Sequence, residues 1–135
     1  MELWNTCFPD TALESRVSDQ WKLLGFQGTD PATDFRGMGL LGLKHILYFA
    51  KNYTDTFVEM AKTQAERQDH YYPVSTAGIN ISSILLELLN IGKKKKEGEG
   101  SGSGGGSGDN EIGVIFPILF DHHHALEEMH CLVFL

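Results

Sequence analysis

Apolar positions recur at helical spacing through most of the chain. Leu13, Val17, Trp21 and Leu24 lie four, four and three residues apart, the period of one buried helical face. Pro9-Asp10 supplies a start for that helix, because an Asp carboxylate accepts from the unpaired amides of a first turn, and Gly25 supplies its end. Residues 25–33 hold two glycines and the Asp30-Pro31 dipeptide and read as a loop. Thr33 or Asp34 then caps a second helix to about Ala50, with Leu40, Leu43, Ile46, Leu47 and Phe49 directed inward. A third helix is predicted from Thr54 to about Arg67 on the stripe Phe57, Val58, Ala61 and Ala65. Beyond a polar, aromatic hinge at His70 to Pro73 comes the clearest periodicity: Val74, Ala77, Ile81, Ile84, Leu85, Leu88 and Leu89, with Gly92 placed for a left-handed cap. Ile79 and Ile91 widen that stripe, which predicts a central helix packed on more than one side.

At Lys93 the pattern breaks. Four lysines run into EGEGSGSGGGSGD, and eight of the fifteen glycines lie between Gly98 and Gly113. Such a stretch has nothing to bury and behaves as a flexible coil, whose thirteen residues span roughly 20 Å. It has the composition both of an engineered linker replacing a native loop and of a natural low-complexity insert. A β-like run at Gly113 to Leu119 is too little for a sheet. Asp121 can cap a last helix, DHHHALEEMHCLVFL, whose apolar end without a cap predicts that the native domain continues past Leu135. The expected architecture is all-α: a single compact helical domain made of a core at 1–92, a flexible linker at 93–110 and a C-terminal helical part at 111–135.

Composition narrows the functional classes. The chain has 135 residues, enough for one domain with a real core, and an apolar fraction of 41%. A formal net charge of −7 argues against nucleic acid as a partner, since binding it needs a basic face that displaces counterions. The same balance suits a protein partner with a basic patch. Cys7 and Cys131 lie far apart in no metal-ligand spacing, and read as two free thiols. No window reaches the roughly 18 to 20 apolar residues of a membrane span, and the first residues lack a signal peptide's basic and apolar regions. A cytoplasmic location is therefore expected. The tripeptides Asn52-Tyr53-Thr54 and Asn80-Ile81-Ser82 are then chance matches to the glycosylation signal.

Several patterns suggest chemistry and fail on context. Gly37 to Gly42 matches G-x-G-x-x-G, but a dinucleotide site needs a buried strand leading in, and residues 30–36 are polar and carry a proline. Close approach of another backbone is the better reason for three glycines there, which otherwise cost about 1 kcal/mol each relative to alanine. His122, His123, His124, Glu127, Glu128 and His130 resemble metal ligands, yet no second cluster completes a site, so they read as a solvated face with some histidine–carboxylate pairing. Lys93 to Lys96 read as a solubilising edge.

Arg36 remains. It lies in a turn rich in glycine and acids, directly before a long apolar run. One reading pairs it with Asp30 or Asp34, tying the loop to the helix start. The other presents its planar, permanently charged fork to the phosphates of a nucleotide held by another protein.

The residues around it resemble a known family. Trp21, Gly25-Phe26-Gln27, Asp30-Pro31, Thr33-Asp34-Phe35-Arg36-Gly37, Gly39, Leu43 and Phe49 are similar to the signature of the engulfment and cell motility (ELMO) domain family. Leu3-Trp4-Asn5, Pro9 to Leu13 and Ala77 to Ile81 resemble it too, so the likeness covers Leu3 to Gly92 and loosens after the glycine tract. TDFRG with GFQG is closer to the short ELMO-domain-containing proteins than to the large partners of Rac exchange factors. The resemblance implies an all-helical domain that activates Arf-family or Arf-like small GTPases in trans, with no cofactor and no substrate chemistry of its own. Any membrane association would be peripheral and through the GTPase. It places the family's arginine at Arg36, as the catalytic element, with Gln27, Asp30 and Asp34 positioning the loop or touching the GTPase. The alternative it carries is a non-catalytic interaction domain of a scaffold that partners a Rac guanine nucleotide exchange factor.

Overall fold

The computed structural model describes residues 1–66, 73–89 and 122–135. Of the predicted hinge at His70 to Pro73 only Pro73 is described, and the Gly92 cap, the glycine-rich tract, the β-like run and the Asp121 cap lie outside the described residues. Within them every regular element is helical: α1 (Glu2–Cys7), a 3₁₀ turn at Asp19–Leu24, a second at Pro31–Gly37, α2 (Gly39–Asn52), α3 (Thr54–Glu66), α4 (Val74–Leu88) and α5 (Ala125–Leu132). The all-α architecture read from the sequence is thus the observed one.

α2 is the hub and touches the other four α-helices. His45, Ile46, Phe49 and Ala50 of α2 are fully buried, and Phe49 meets Phe57 of α3 at 5.4 Å and stacks on Phe134 beyond α5 at 5.1 Å between ring centroids. α4 packs against α2, α3, α5 and the second 3₁₀ turn, which agrees with the prediction of a helix buried on more than one side. An aromatic file runs through the other end of the core. Trp4 meets Trp21 at 5.9 Å, Trp21 meets Phe26 at 5.7 Å, and Phe26 meets Phe35 at 5.7 Å, each near edge-on. Edge-to-face pairing of this kind adds to the burial of large rings.

The predicted helix after Asp10 does not form. Residues 11–18 are irregular, and only Asp19–Leu24 coils, as a 3₁₀ turn capped by Ser18. Side chains compete for the backbone there. The Trp4 indole donates to Thr11 O at 2.7 Å, while the Gln20 amide donates to Ala12 O at 3.0 Å and accepts from Glu14 N at 2.9 Å. These bonds hold an irregular path that the apolar spacing alone does not disclose, and Val17 is left exposed. The N-terminal α1 was not anticipated.

Gly25 ends the 3₁₀ turn as expected, at φ 73°. A Cβ there would stand 2.5 Å from Val74 N, so the loop sits directly on the start of α4. α4 has no side-chain cap; Gly25 O accepts from Thr76 N at 3.2 Å, and Ser75 Oγ donates to Leu24 O. The loop carbonyls thereby satisfy polar groups in the first turn of α4.

Three further expectations need correction. The helix predicted from Thr33 or Asp34 starts at Gly39, because Asp30 caps a separate 3₁₀ turn first. Of the three glycines only Gly42 is crowded, by the side chains of Met38 and Phe35 rather than by backbone; Gly39 needs its left-handed φ of 53°, and Gly37 faces open space. Leu40, Ile84 and Leu88, assigned inward, are exposed, because the buried faces of α2 and α4 turn toward His45 and Ser82 instead.

Candidate functional site: an outward arginine on an anchored turn

The turn that carries Arg36 is fixed from both ends. Asp30 Oδ1 accepts from Ala32 N at 3.1 Å, Pro31 presets the first position, and Thr33 Oγ1 donates to Asp30 O at 2.8 Å. Asp34 Oδ2 accepts from Gln27 N at 3.0 Å and from Thr76 Oγ1 at 3.4 Å, binding the turn to the preceding loop and to α4. Phe35 points inward against Phe26. With its two preceding neighbours committed, Arg36 is left exposed, and it makes no hydrogen bond or ion pair with the described residues.

The alternative reading, in which Arg36 pairs with Asp30 or Asp34, is therefore not what forms. Asp30 is claimed by Arg16, whose Nη1 lies 2.9 Å from Oδ1 and Nη2 3.3 Å from Oδ2, a fork-to-fork pair. Asp34 is occupied by an amide and a hydroxyl. The Ala32 amide, then the Arg16 guanidinium, hold the Asp30 carboxyl below its ordinary range, and the charge of Arg36 adds a smaller contribution.

The four residues singled out from the sequence lie on one connected loop. Asp30 and Asp34 are half-buried and hold its shape, whereas Gln27 is exposed and enters the network through its backbone amide. Two contributors escaped the sequence reading. Arg16 was placed within a helix that does not form, and Thr76 was one polar residue in an apolar pattern. Only the tertiary approach of α4 gives Thr76 its role. Beneath the turn, Phe35 and Phe26 line an apolar cavity of about 320 Å³.

The histidine-rich end of the chain divides. His122, His123 and His124 are exposed as expected, and His124 Nδ1 lies 3.9 Å from Glu127. His130, assigned to the same solvated face, is instead fully buried, because α5 turns it toward α4, where Nε2 lies 2.9 Å from Gly78 O. Glu128 is also drawn in, accepting from Tyr48 Oη and, at 3.0 Å, from Tyr53 Oη. The hydrogen bond to Glu128, then burial, then the carboxylate's charge push the Tyr48 phenol up to about 12. Among the described residues no group of three His, Cys, Asp or Glu is placed to hold a metal ion. Both cysteines are free and buried, and burial pushes Cys7 up to about 11 and Cys131 up to about 12. Thiols so protected are poor nucleophiles.

The family model described as the ELMO/CED-12 family matches residues 1–135. The chain belongs to the ELMO/CED-12 family. ELMO domain-containing protein A of Dictyostelium discoideum is 45% identical over 141 residues, which is 99% of this chain and 14% of that protein. Ankyrin repeat and ELMO domain-containing protein D of the same organism is 38% identical over 97% of this chain and 9% of its own length. Human ELMO domain-containing protein 2 is 44% identical over 92 residues, 66% of this chain and 30% of that protein. The ELMO chain described here thus spans well under half of these relatives. No solved structure matches it. No helix among the described residues is long and apolar enough to cross a membrane.

Proposed function

We propose that this ELMO domain is a GTPase-activating protein for Arf-family or Arf-like small GTPases, with Arg36 entering the partner's nucleotide site. The observation that carries the reading is the exposed guanidinium of Arg36 on a turn whose two carboxylates are engaged elsewhere. A long cation normally loses side-chain entropy when it is fixed. Here the backbone beneath it is already ordered, so docking has mainly the side chain left to restrain. On the γ-phosphate the fork neutralises charge that builds during hydrolysis, an effect of about 10³ to 10⁵ in rate for arginine fingers. Asp30 and Asp34 act as positioning residues, and the exposed Gln27 side chain is available to contact the GTPase.

Single-turnover GTP hydrolysis by Arf-like GTPases, with and without this domain, tests the proposal. Arg36→Ala and Arg36→Lys are expected to abolish stimulation, by about 10³-fold or more, while GTPase binding persists. Lysine keeps the charge but not the planar fork. Stimulation by Arg36→Ala equal to the parent domain would sink the proposal.

A second reading has one observation in its favour. The two Dictyostelium relatives contain this region as 14% and 9% of much longer proteins. A non-catalytic module within a scaffold that partners a Rac exchange factor suits that arrangement. It predicts GTPase-independent binding that Arg36→Ala leaves intact.

A further inference from the structure

Two arginines bear on one carboxylate. Asp30 opens the turn that carries Arg36, and Arg16 reaches it from fourteen residues upstream, with Nη1 2.9 Å from Oδ1 and Nη2 3.3 Å from Oδ2. Oδ1 also accepts from Ala32 N at 3.1 Å, whereas Oδ2 has no donor but Arg16 among the described residues. Arg36 is the second cation whose charge reaches this group: after the Ala32 amide and Arg16, it too holds the Asp30 carboxyl down.

The backbone that carries Arg16 is fixed. Its carbonyl accepts from the Trp21 indole at 2.9 Å, and two residues on, Ser18 N donates to Thr29 O at 2.9 Å, beside Asp30. Trp21 is buried in the aromatic file, so the exposed guanidinium of Arg16 starts from an ordered anchor. Neither bond uses the Arg16 side chain, so truncating it leaves the segment tied down.

Without Arg16, Asp30 would present an open oxygen. Asp30 and Arg36 belong to one short turn, Pro31–Gly37 with Asp30 as its cap, so bringing them together orders no further backbone. Asp34, the other acid of the turn, is engaged by Gln27 N and Thr76 Oγ1. Asp30 is therefore the competitor for Arg36 inside its own turn.

We propose that Arg16 is a positioning residue for Arg36: by filling both oxygens of Asp30 it keeps that carboxylate from drawing Arg36 back onto the turn. The inference rests on the role proposed above for Arg36 in the partner's nucleotide site. Arg16 acts through Asp30 and sets the fraction of molecules in which Arg36 is free, and activity scales with that fraction. Exposed ion pairs are weak, so capture lowers the free fraction by about two- to fivefold and does not abolish it.

Three variants separate capture from a merely structural pair: Arg16→Ala, Asp30→Asn and the two combined. Asparagine keeps a side-chain oxygen to cap the turn and removes the charge that draws Arg36. NMR relaxation of the Arg36 Nε–Hε group, assigned by its loss in Arg36→Lys, reads the arginine without any GTPase. Arg36 is expected to be mobile in the parent domain, ordered in Arg16→Ala and mobile again in the double variant. Stimulated single-turnover hydrolysis at subsaturating domain should fall about two- to fivefold in Arg16→Ala and recover when Asp30→Asn is added. Were the Arg16–Asp30 pair only a strut, Asp30→Asn would break it as well, and the double variant would stay as low as Arg16→Ala. That result, or an Arg36 side chain equally mobile in the parent and in Arg16→Ala, would overturn the proposal. The relaxation readout does not depend on hydrolysis, so full stimulation by Arg36→Ala would count against the proposed function and leave the capture of Arg36 to be decided by NMR.

Discussion

Asp34 shows what a single side chain contributes to the arginine turn. Its Oδ2 holds Gln27 N and Thr76 Oγ1 together, so one carboxylate couples the turn to the loop before it and to α4. Hydrogen bonds to a charged acceptor contribute about 1.5 to 3 kcal/mol net. Asp34→Ala should therefore lower stability by about 1 to 3 kcal/mol in urea unfolding and leave the domain folded. Stimulated hydrolysis should fall further than that stability change implies, because a guanidinium misplaced by 1 Å loses about 10²-fold in rate. The expected split is a reduced rate at saturating GTPase with little change in affinity. A change in affinity alone would show that Asp34 belongs to the docking surface.

At the scale of elements, two buried histidines join α2, α4 and α5. Ser82 Oγ donates to Gly78 O at 3.0 Å, which commits its one hydrogen, so His45 Nδ1, 2.8 Å away, must be the donor to that hydroxyl. His130 Nε2 likewise donates to Gly78 O. Both rings are neutral in this arrangement, and His45 Nε2 and His130 Nδ1 are buried lone pairs without a partner among the described residues. Burial lowers both histidines, His130 to about 4, with the neighbouring His45 also opposing its charge, while Glu127 partly offsets the effect at His45. Unfolding exposes His130 to its ordinary pKa near 6.5, so below that value the unfolded chain takes up a proton that the folded chain refuses. Stability from His130 is complete above about pH 6.5 and is lost as pH falls toward 4. Unfolding free energies from urea titrations at pH 7 and 4.5 should differ by about 2 to 3 kcal/mol from this residue. His130→Gln should start less stable and lose correspondingly less on acidification.

These elements also show how far a sequence carries. Helices α2, α3 and α4 were legible because Ile46, Phe49, Phe57, Ala61, Ala77 and Leu85 repeat at helical spacing and are buried in the structure. Gly25 and the loop of Asp30, Asp34 and Arg36 were legible through turn chemistry and family likeness. The stretch after Asp10 was not, because side-chain bonds from Trp4 and Gln20 outweigh a pattern that fits a helix. His130 was unreadable for a different reason. A histidine among acids on an eight-residue helix looks solvated until a neighbouring carbonyl, Gly78 O, gives it a buried partner.

For the whole molecule, long-range attraction and bond-making are assigned to different charges. On the proposed function, a net charge of −7 would steer a partner with a basic patch from beyond contact distance, whereas Arg36 would act only after docking. Salt separates the two. The Debye length is about 10 Å at 0.1 M and shortens to about 3 Å at 1 M, so steering weakens while a desolvated guanidinium–phosphate contact is largely shielded from ions. Stopped-flow association with a GTPase whose docking face is basic should slow by about tenfold between roughly 0.05 and 0.5 M salt. The single-turnover rate at saturating GTPase should stay within about twofold over the same range, because the catalytic contact then lies inside a closed interface. If the saturated rate fell in step with association, the arginine would be acting from solvent, and the positioning assigned to Asp30 and Asp34 would have no catalytic consequence.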